Sequence, residues 1–204
     1  MITRDDFQSR FDVPRGTMEQ VDAYAELLVD WQSRMNLVGP ATLTDIWGRH
    51  FTDSAQVLAH LHPGSVVDLG TGAGFPGMVL AILGAGPVHL IEATKKKCAF
   101  LQAVVERLAL TNVTIHNQRI EALEPFEASN ITARACKNMT DLVTWALPFN
   151  TRETLWLLLK GATAAEEVAA AKTSFNFDAE LIPSVTDADG RLVRVRNLRP
   201  IWNR

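Results

Sequence analysis

The sequence predicts an α/β fold with a doubly wound, mainly parallel sheet and an N-terminal helical cap. Two observations predict it: β-branched segments alternate with helical segments from residue 65 onward, and two amphipathic segments precede the first strand. A chain of 204 residues with 47% hydrophobic residues is large enough for one good core. We therefore expect a single domain, in which residues 1–62 form the cap and residues 63–204 form the α/β core.

The cap is expected to contain two helices. Apolar residues between positions 18 and 35 recur at helical spacing, which predicts an amphipathic helix over residues 17–36. A second helix is predicted over residues 43–61, where His50 and Asp53 lie three positions apart and close enough to interact. We expect this pair to fix the cap to the sheet, and a catalytic role for His50 is the alternative.

The core is predicted from the alternation that follows. Strands are expected at 65–69, 87–92, 112–117, 130–134 and 154–159, and helices at 76–84, 94–109, 139–147 and 162–172. Two final strands, at 178–183 and 191–197, complete the sheet. Valines and arginines alternate in the last of them, as in an edge strand with one solvated face.

A glycine-rich turn after the first strand predicts a nucleotide site. Gly70, Gly72 and Gly74 alternate just after Asp68, so the backbone can adopt positive φ and approach a ligand closely. The spacing from Gly72 to Gly77 also matches the dinucleotide fingerprint. We favour the other frame, in which an acid precedes three alternating glycines, as in proteins that use S-adenosylmethionine. That cofactor carries an ammonium and a sulfonium but no phosphate, and Asp68 would repel a pyrophosphate.

A second carboxylate, Glu92, ends the next predicted strand. In such folds an acid at this position accepts hydrogen bonds from ribose hydroxyls, and ligands bind beyond the carboxyl ends of the strands. Arg119 to Glu121 and Arg134 are expected at the same edge of the sheet. Asp68 and Glu92 together therefore favour an adenosine-type ligand.

The composition narrows the function classes. A net charge of −3 argues against an indiscriminate polyanion binder without excluding RNA, because basic residues cluster at Lys95–Lys97 and in the last fourteen positions, from Arg191 to Arg204. The two cysteines lack metal-ligand spacing, so we expect reduced thiols and no metal. No apolar run is long enough to span a membrane, and the first residues lack the features of a signal peptide. The expectation is a cytoplasmic protein.

Motifs along most of the chain resemble one family, the ribosomal RNA small subunit methyltransferase G family, also called glucose-inhibited division protein B. The glycine turn alone indicates only a methyltransferase, whereas Arg134-Ala135 and Lys160-Gly161 after two later strands are specific to the family. The matching motifs are Asn36-Leu37, Trp47, Arg49-His50, Asp53-Ser54, Asp68 to Gly77, Lys96-Lys97, Phe100-Leu101, Arg119 to Glu121, Thr132 to Ala135 and Leu159 to Gly161.

The resemblance implies the Rossmann-like fold of S-adenosylmethionine-dependent methyltransferases and transfer of a methyl group to N7 of one guanine in 16S ribosomal RNA. The partner would be 16S RNA or the small ribosomal subunit, and we expect a monomer. By the same resemblance Gly70, Phe75, Ile120, Glu121 and Arg134 line the cofactor pocket. The chain departs from common family members after Gly161, which concerns the edge of the RNA site.

The chemistry of N7 agrees with the residues present. This atom exposes a lone pair in the neutral base, so positioning and electrostatics suffice and no proton need be removed. The sequence has no Asn-Pro-Pro-Tyr type of segment, which methylation of an exocyclic amine would require, and Cys136 is disfavoured as a nucleophile.

Arg134 is expected to hold the cofactor carboxylate or to stabilise guanine O6 and a phosphate, with a structural salt bridge as the alternative. Lys160 is expected to contact an RNA phosphate. A small-molecule methyltransferase and a non-catalytic nucleotide-binding module are the competing functions.

Overall fold

The computed structural model describes residues 1–134 and 137–201. The expectations for Cys136 and Arg204 lie outside these residues. The strands are β1 (Val66–Leu69), β2 (Val88–Ile91), β3 (Val113–His116), β4 (Asn130–Arg134), β5 (Leu155–Lys160), β6 (Phe175–Pro183) and β7 (Arg191–Pro200). The α-helices are α1 (Arg4–Arg10), α2 (Arg15–Gln32), α3 (Asp53–Ala55), α4 (Gly77–Ile82), α5 (Lys95–Leu108), α6 (Met139–Ala146) and α7 (Ala164–Ala171).

The strands form one seven-stranded sheet in the order β3-β2-β1-β4-β5-β7-β6. Strands β1 to β5 pair in parallel with one another, whereas β7 pairs antiparallel with both β5 and β6. This confirms the predicted α/β fold with a mainly parallel sheet. The order reverses at β1 and β4, so the crevice between their carboxyl ends is where such a sheet offers a ligand site.

The prediction that the last strand lies at the edge is wrong, because β7 lies between β5 and β6. Its alternating pattern has another cause. Val193 and Val195 point into one apolar layer, while Arg194 on the opposite face pairs with Glu180 on β6. A polar partner on the neighbouring strand therefore satisfies the charge that the sequence suggested was facing solvent.

Both faces of the sheet are covered. The cap, α4 and α5 pack on one face, where Phe7, Tyr24 and Phe51 join the same apolar cluster as Met78 and Phe100. Helices α6 and α7 pack on the other face around the buried Trp156. Because the cap shares its apolar cluster with the sheet, the cap is part of the hydrophobic core.

The second predicted cap helix, over residues 43–61, is not one α-helix. The segment consists of a 3₁₀ turn (Pro40–Asp45), a π-helical turn (Trp47–Thr52), the short α3 and a second 3₁₀ turn (Leu58–His60). Four of the six residues in the π-helical turn are buried, more than the single apolar stripe of an amphipathic helix provides. Helix α1, begun by a Thr3–Asp6 capping box, was not predicted.

Among the described residues, no helix has the combination of length and apolar character that crossing a bilayer requires.

Candidate active site

A cavity of about 430 Å³ lies at the carboxyl ends of β1, β4 and β5. Its floor is the glycine turn from Gly70 to Ala73, and Arg134 and Lys160 stand at the ends of β4 and β5. One wall is the cap loop, residues 37–42, and the other is the β6–β7 turn, residues 184–190. The cavity therefore occupies the edge at which the sequence predicted a ligand.

The glycines of the turn have different tasks. Gly70 and Gly72, both with φ of 61°, line the cavity. Gly74, with φ of 100°, lies instead against α2, where a Cβ would come within 2.6 Å of the Tyr24 hydroxyl. That hydroxyl donates a hydrogen bond to the Ala73 carbonyl. Two of the glycines thus permit a close approach to a ligand, and the third permits a close approach between the turn and the cap.

Asp68 is fully buried beneath the turn and does not line the cavity. Its Oδ2 accepts hydrogen bonds from the Thr71 hydroxyl and from the Gly77 N–H at 2.9 Å, and its Oδ1 accepts one from the Thr132 hydroxyl at 2.9 Å. Burial raises the pKa of Asp68 to about 6, and these hydrogen bonds oppose the rise. Where the sequence predicted a carboxylate facing the ligand, the structure has one that holds both ends of the glycine turn from below.

Glu92 supports the same turn from the end of β2. Its Oε2 accepts a hydrogen bond from the Gly72 N–H at 3.1 Å, and its Oε1 accepts one from the Thr94 N–H at 2.7 Å. Ile120 is buried after β3, and Glu121 beside it is 3.9 Å from Arg119. These side chains lie along the ligand edge of the sheet but do not line the cavity.

Of the predicted site residues, the structure brings Gly70, Gly72, Phe75, His50, Arg134 and Lys160 together around the cavity. It places Asp68, Gly74, Glu92, Ile120 and Glu121 outside the cavity lining.

Arg134, which lines the cavity, joins the sheet to the cap. Its Nη1 donates to the Arg49 carbonyl at 2.8 Å and to Asp53 Oδ2 at 3.4 Å, and its Nη2 donates to His50 Nδ1 at 3.0 Å. The guanidinium carbon lies 4.8 Å from the centre of the Phe75 ring. Arg134 therefore makes the predicted structural contacts with the cap while one side of it still lines the cavity.

The surroundings of Arg134 fix the ionisation of its neighbours. Burial, together with the positive charges of Arg134 and Arg49, lowers the pKa of His50 to about 3, so the imidazole is neutral. Burial raises the pKa of Asp53, and Arg134 opposes that rise. The His50 ring also stacks on Phe75 at 5.0 Å between centroids. His50 and Asp53 thus both contact Arg134 between the cap and the sheet, and their role in fixing the cap stays a prediction.

Lys160 lies at the cavity, but its ammonium already donates hydrogen bonds to other residues of the protein. Nζ donates to the Lys137 carbonyl at 2.6 Å and to Glu167 Oε2 at 2.8 Å, and the side chain is buried. Glu167 in turn accepts a hydrogen bond from the Met139 N–H at 2.9 Å. In this structure Lys160 ties β5 to α6 and α7, and a phosphate would have to compete with Glu167 for it.

Sequence reasoning missed the β6–β7 turn as a wall of the site. Gln56 holds this turn: its Nε2 donates to Ser184 Oγ at 3.3 Å and its Oε1 accepts from the Val185 N–H at 3.1 Å. Thr186 donates to Asp53 Oδ1 at 3.1 Å. An Asp- and Gly-rich segment between two strands signals a turn, but nothing local in the sequence says which part of the fold the turn folds against.

Cys98, the cysteine within the described residues, is buried, and its thiol donates to the Glu92 carbonyl at 3.2 Å. Within residues 1–134 and 137–201, no three His, Cys, Asp or Glu side chains are grouped so that they could hold a metal ion.

Comparison with known proteins gives consistent matches. A family model described as rRNA small subunit methyltransferase G matches residues 17–193. The ribosomal RNA small subunit methyltransferase G of Paramagnetospirillum magneticum is 45% identical over 188 residues, which cover 91% of each chain. That of Rhodospirillum centenum is 44% identical over 197 residues, which cover 96% of this chain and 91% of the relative.

Two solved structures share the fold of this chain at low sequence identity. A glycopeptide N-methyltransferase in complex with S-adenosyl-L-methionine matches with a TM-score of 0.61 at 11% identity, covering 72% of this chain and 94% of that one. A ribosomal protein L11 methylase from Lactobacillus delbrueckii subsp. bulgaricus matches with a TM-score of 0.59 at 12% identity, covering 71% of this chain and 76% of the other. The Rossmann-like fold implied by the resemblance is confirmed.

Proposed function

Because the chain belongs to the ribosomal RNA small subunit methyltransferase G family, we propose that it transfers a methyl group from S-adenosylmethionine to N7 of one guanine in 16S ribosomal RNA. The cavity on the glycine turn is the proposed place of transfer. When bound, the cofactor supplies an electrophilic methyl group. The protein's part is to hold cofactor and guanine in line and to stabilise the charges they carry.

The observation that supports the N7 assignment concerns His50, the histidine that lines the cavity: both of its ring nitrogens already have hydrogen-bond partners. Its Nδ1 faces a donor on Arg134 at 3.0 Å, and its Nε2 lies 2.7 Å from the Thr42 hydroxyl. A general base needs a free lone pair within reach of the proton that it removes, and both ring nitrogens are occupied. The site thus suits an acceptor atom that attacks through an existing lone pair, as guanine N7 does.

The residues present fit the cofactor. A Cβ on Gly72 would have only the Gly70 carbonyl near it, at 3.9 Å, so the space above the turn is open. The cavity volume falls in the range of small-molecule sites. Glu92 at the end of β2 has the acceptor oxygens that ribose hydroxyls require, and Arg134 has the fork that binds a carboxylate.

The order of the strands orients the cofactor. Glu92, the glycine turn, Arg134 and Lys160 follow one another across the ends of β2, β1, β4 and β5. We place the adenosine on the Glu92 side, with Ile120 and Glu121 beside it, and the amino acid portion toward Arg134. The guanine then enters from the β5 side, between the cap loop and the β6–β7 turn.

The cavity has a rim of three basic side chains, Arg49, Lys97 and Arg191, although the whole protein carries a net charge of −3. Arg49 pairs with Asp187 at 3.1 Å, and Lys97 lies near the start of α5, on the Glu92 side of the cavity. Local positive charge attracts phosphates whatever the total charge of the protein. We assign the rim to the RNA backbone on either side of the target guanine.

Chemical cleavage of the product tests the methylated atom. The protein and labelled S-adenosylmethionine are incubated with unmodified small-subunit particles and, separately, with protein-free 16S RNA. N7-methylguanine carries a fixed positive charge that makes its ring and glycosidic bond labile, so borohydride followed by aniline should break the RNA at one guanine. An Arg134→Ala variant serves as the control without transfer.

Two results would contradict the proposal in different ways. RNA that gains the methyl group but resists cleavage would refute N7 and retain the methyltransferase. Cofactor binding without transfer to either RNA would refute the RNA acceptor and favour a small-molecule substrate or a binding module.

A further inference from the structure

The hydrogen bonds around His50 can be satisfied in only one pattern. The Thr42 hydroxyl has one hydrogen, and it donates this hydrogen to the Gly39 carbonyl at 2.6 Å. Thr42 Oγ1 must therefore accept a hydrogen bond from His50 Nε2, 2.7 Å away. On the other side of the ring, Arg134 can only donate, so His50 Nδ1 must accept at 3.0 Å.

We propose that Thr42 is a positioning residue for methyl transfer: it holds His50 in the Nε2–H form, so that Nδ1 presents a lone pair that fixes the Arg134 guanidinium at the cavity. The direction of donation runs from Arg134 through His50 and Thr42 to the Gly39 carbonyl. If the proton moved to Nδ1, it would point at an Arg134 N–H, and one of the two groups would have to turn away.

The surroundings leave His50 no substitute for Thr42. The residue is 6% exposed and its ring stacks on Phe75, so little room is left for a water to replace Thr42. Its pKa, lowered to about 3, keeps the imidazole neutral, so that one nitrogen is always a donor and the other an acceptor. The choice between the two neutral forms then depends on what each nitrogen faces. Arg134 offers Nδ1 a donor and Thr42 offers Nε2 an acceptor, so both partners favour the Nε2–H form, and Thr42 is the one that can be removed without changing Arg134.

Thr42 also links Arg134 to the cap loop. The same hydroxyl that accepts from His50 donates to Gly39 within the loop, and Gln32 fixes the preceding residues by accepting from the N–H groups of Leu37 and Val38 at 2.9 and 3.0 Å. The cap loop forms one wall of the cavity. A guanine or cofactor that presses on this wall therefore acts on the orientation of Arg134 through two hydrogen bonds.

The test begins with Thr42→Val, which keeps the shape of the side chain and removes the hydroxyl. Nitrogen NMR of the imidazole should show Nε2–H in the parent protein and a larger share of the Nδ1–H form in the variant. Turnover at saturating cofactor and RNA should fall about tenfold, the effect of losing one buried hydrogen bond. Thr42→Ser should restore both the NMR signature and turnover.

Two further variants separate positioning from general damage. Thr44→Val removes a hydroxyl in the same 3₁₀ turn that bonds only the Ala41 carbonyl, at 3.1 Å, so it should change neither measurement. In a His50→Gln background, which lacks the Nδ1 acceptor, Thr42→Val should have no further effect on turnover, because the chain to Arg134 is already broken.

The kinetic part of this inference rests on the proposed function, whereas the NMR part does not. If the parent protein transfers no methyl group, the proposed function fails and NMR alone decides whether Thr42 sets the form of His50. An unchanged imidazole signal in Thr42→Val would overturn the inference. So would an altered signal with full turnover, because the form of the ring would then not matter to the reaction.

Discussion

Arg134 combines a structural and a binding role in one side chain. Three of its hydrogen bonds go to the cap, through Arg49, His50 and Asp53, and its guanidinium carbon lies over the Phe75 ring. A planar fork meets these directions at once, whereas an ammonium is a compact point charge. The shape of the side chain, beyond its charge, is therefore what the site uses.

Arg134→Lys should accordingly keep much of the stability and lose most of the activity. The retained charge still faces Asp53, so the thermal midpoint should fall by only a few degrees. Cofactor affinity or turnover should fall about tenfold to a hundredfold, because at least one charged hydrogen bond is lost. Calorimetry with S-adenosylhomocysteine and a methylation assay measure both effects, with the exposed Arg107→Lys as the matched control. Activity close to that of the parent would show that charge alone is sufficient.

His50 should make the protein less stable in mild acid. The unfolded chain binds a proton at this residue near its ordinary pKa of 6.5, whereas the folded protein binds it only near about 3, because burial, Arg134 and Arg49 all disfavour the cation. The unfolded state therefore holds more protons between these values. Each pH unit below about 6.5 should lower the unfolding free energy by up to about 1.4 kcal/mol from this residue.

Urea unfolding at about pH 7 and about pH 5 measures this effect, and His50→Gln, which does not titrate, should show a smaller loss. Asp68 contributes in the opposite sense, because its raised pKa makes the folded state the one that holds the proton in acid. Both proteins keep Asp68, so the difference between them isolates His50. An equal loss in both would mean that His50 is accessible to protons when folded.

Asp68 marks the limit of residue-level prediction. The sequence placed this carboxylate correctly at the end of the first strand and beside the glycine turn. Whether it faces the ligand or the turn depends on Thr71, Thr132 and Gly77, which surround it only once the chain has folded.

At the scale of elements, Gln56 is the main attachment of the β6–β7 turn to the cap. Its amide bonds Ser184 and the Val185 backbone on the turn, and Asp53 on its own segment. The attached turn in turn places Asp187 within 3.1 Å of Arg49 at the cavity. Gln56 therefore holds this wall together with the Thr186–Asp53 hydrogen bond and the Arg49–Asp187 ion pair.

Gln56→Ala should loosen this wall without disturbing the cofactor turn. Hydrogen exchange in residues 184–190 should become faster, and the KM for RNA should rise about threefold to tenfold, in line with the loss of two or more hydrogen bonds. S-adenosylhomocysteine affinity should remain within about twofold, since the glycine turn has other supports. Gln102→Ala, on the exposed face of α5, is the matched control. Unchanged exchange in the turn would show that other contacts hold it.

Hydrophobic periodicity predicted the regular elements well and the irregular ones poorly. Helices α2, α5 and α6 appear close to their predicted positions because each presents one apolar stripe to the core. The segment over residues 43–61 has apolar residues at helical spacing too. It nevertheless forms a series of 3₁₀, π-helical and short α-helical turns, which contact both the apolar core and the cavity. Periodicity cannot register the π-helical turn, which brings Phe51 into the core and His50 toward Arg134.

At the scale of the whole molecule, the two halves of the cavity should respond differently to salt. The cofactor half consists of the glycine turn and buried carboxylates, whereas Arg49 and Arg191 carry positive charge on the RNA half. Binding that neutralises phosphates releases counterions and weakens as salt rises. RNA affinity should therefore fall steeply between about 50 and about 200 mM salt while S-adenosylhomocysteine affinity changes little.

Arg191→Ala should reduce the slope of log affinity for RNA against log salt by about one, the effect of losing one phosphate contact. Filter binding of RNA and calorimetry of S-adenosylhomocysteine, over the same salt series, provide the two slopes. RNA binding that is insensitive to salt would contradict the assignment of the rim to the RNA backbone.

The parallel part of the sheet could be predicted because each βαβ unit is local in sequence and its handedness is nearly fixed. The position of β7 could not, since an antiparallel strand can join either free edge and its pattern matched an edge strand. The β6–β7 turn depends on that position, so this wall of the cavity escaped prediction together with it.

The place of β7 between β5 and β6 has a consequence for the newly made chain. Both neighbours are synthesised before the strand that joins them, so β5 emerges from the ribosome with one edge unpaired, and β6 has no sheet to enter. The glycine turn, Glu92 and Arg134 are translated earlier and belong to strands that already have partners. An incomplete chain thus acquires its cofactor half first, and the wall that meets RNA is set only when β7 closes the gap.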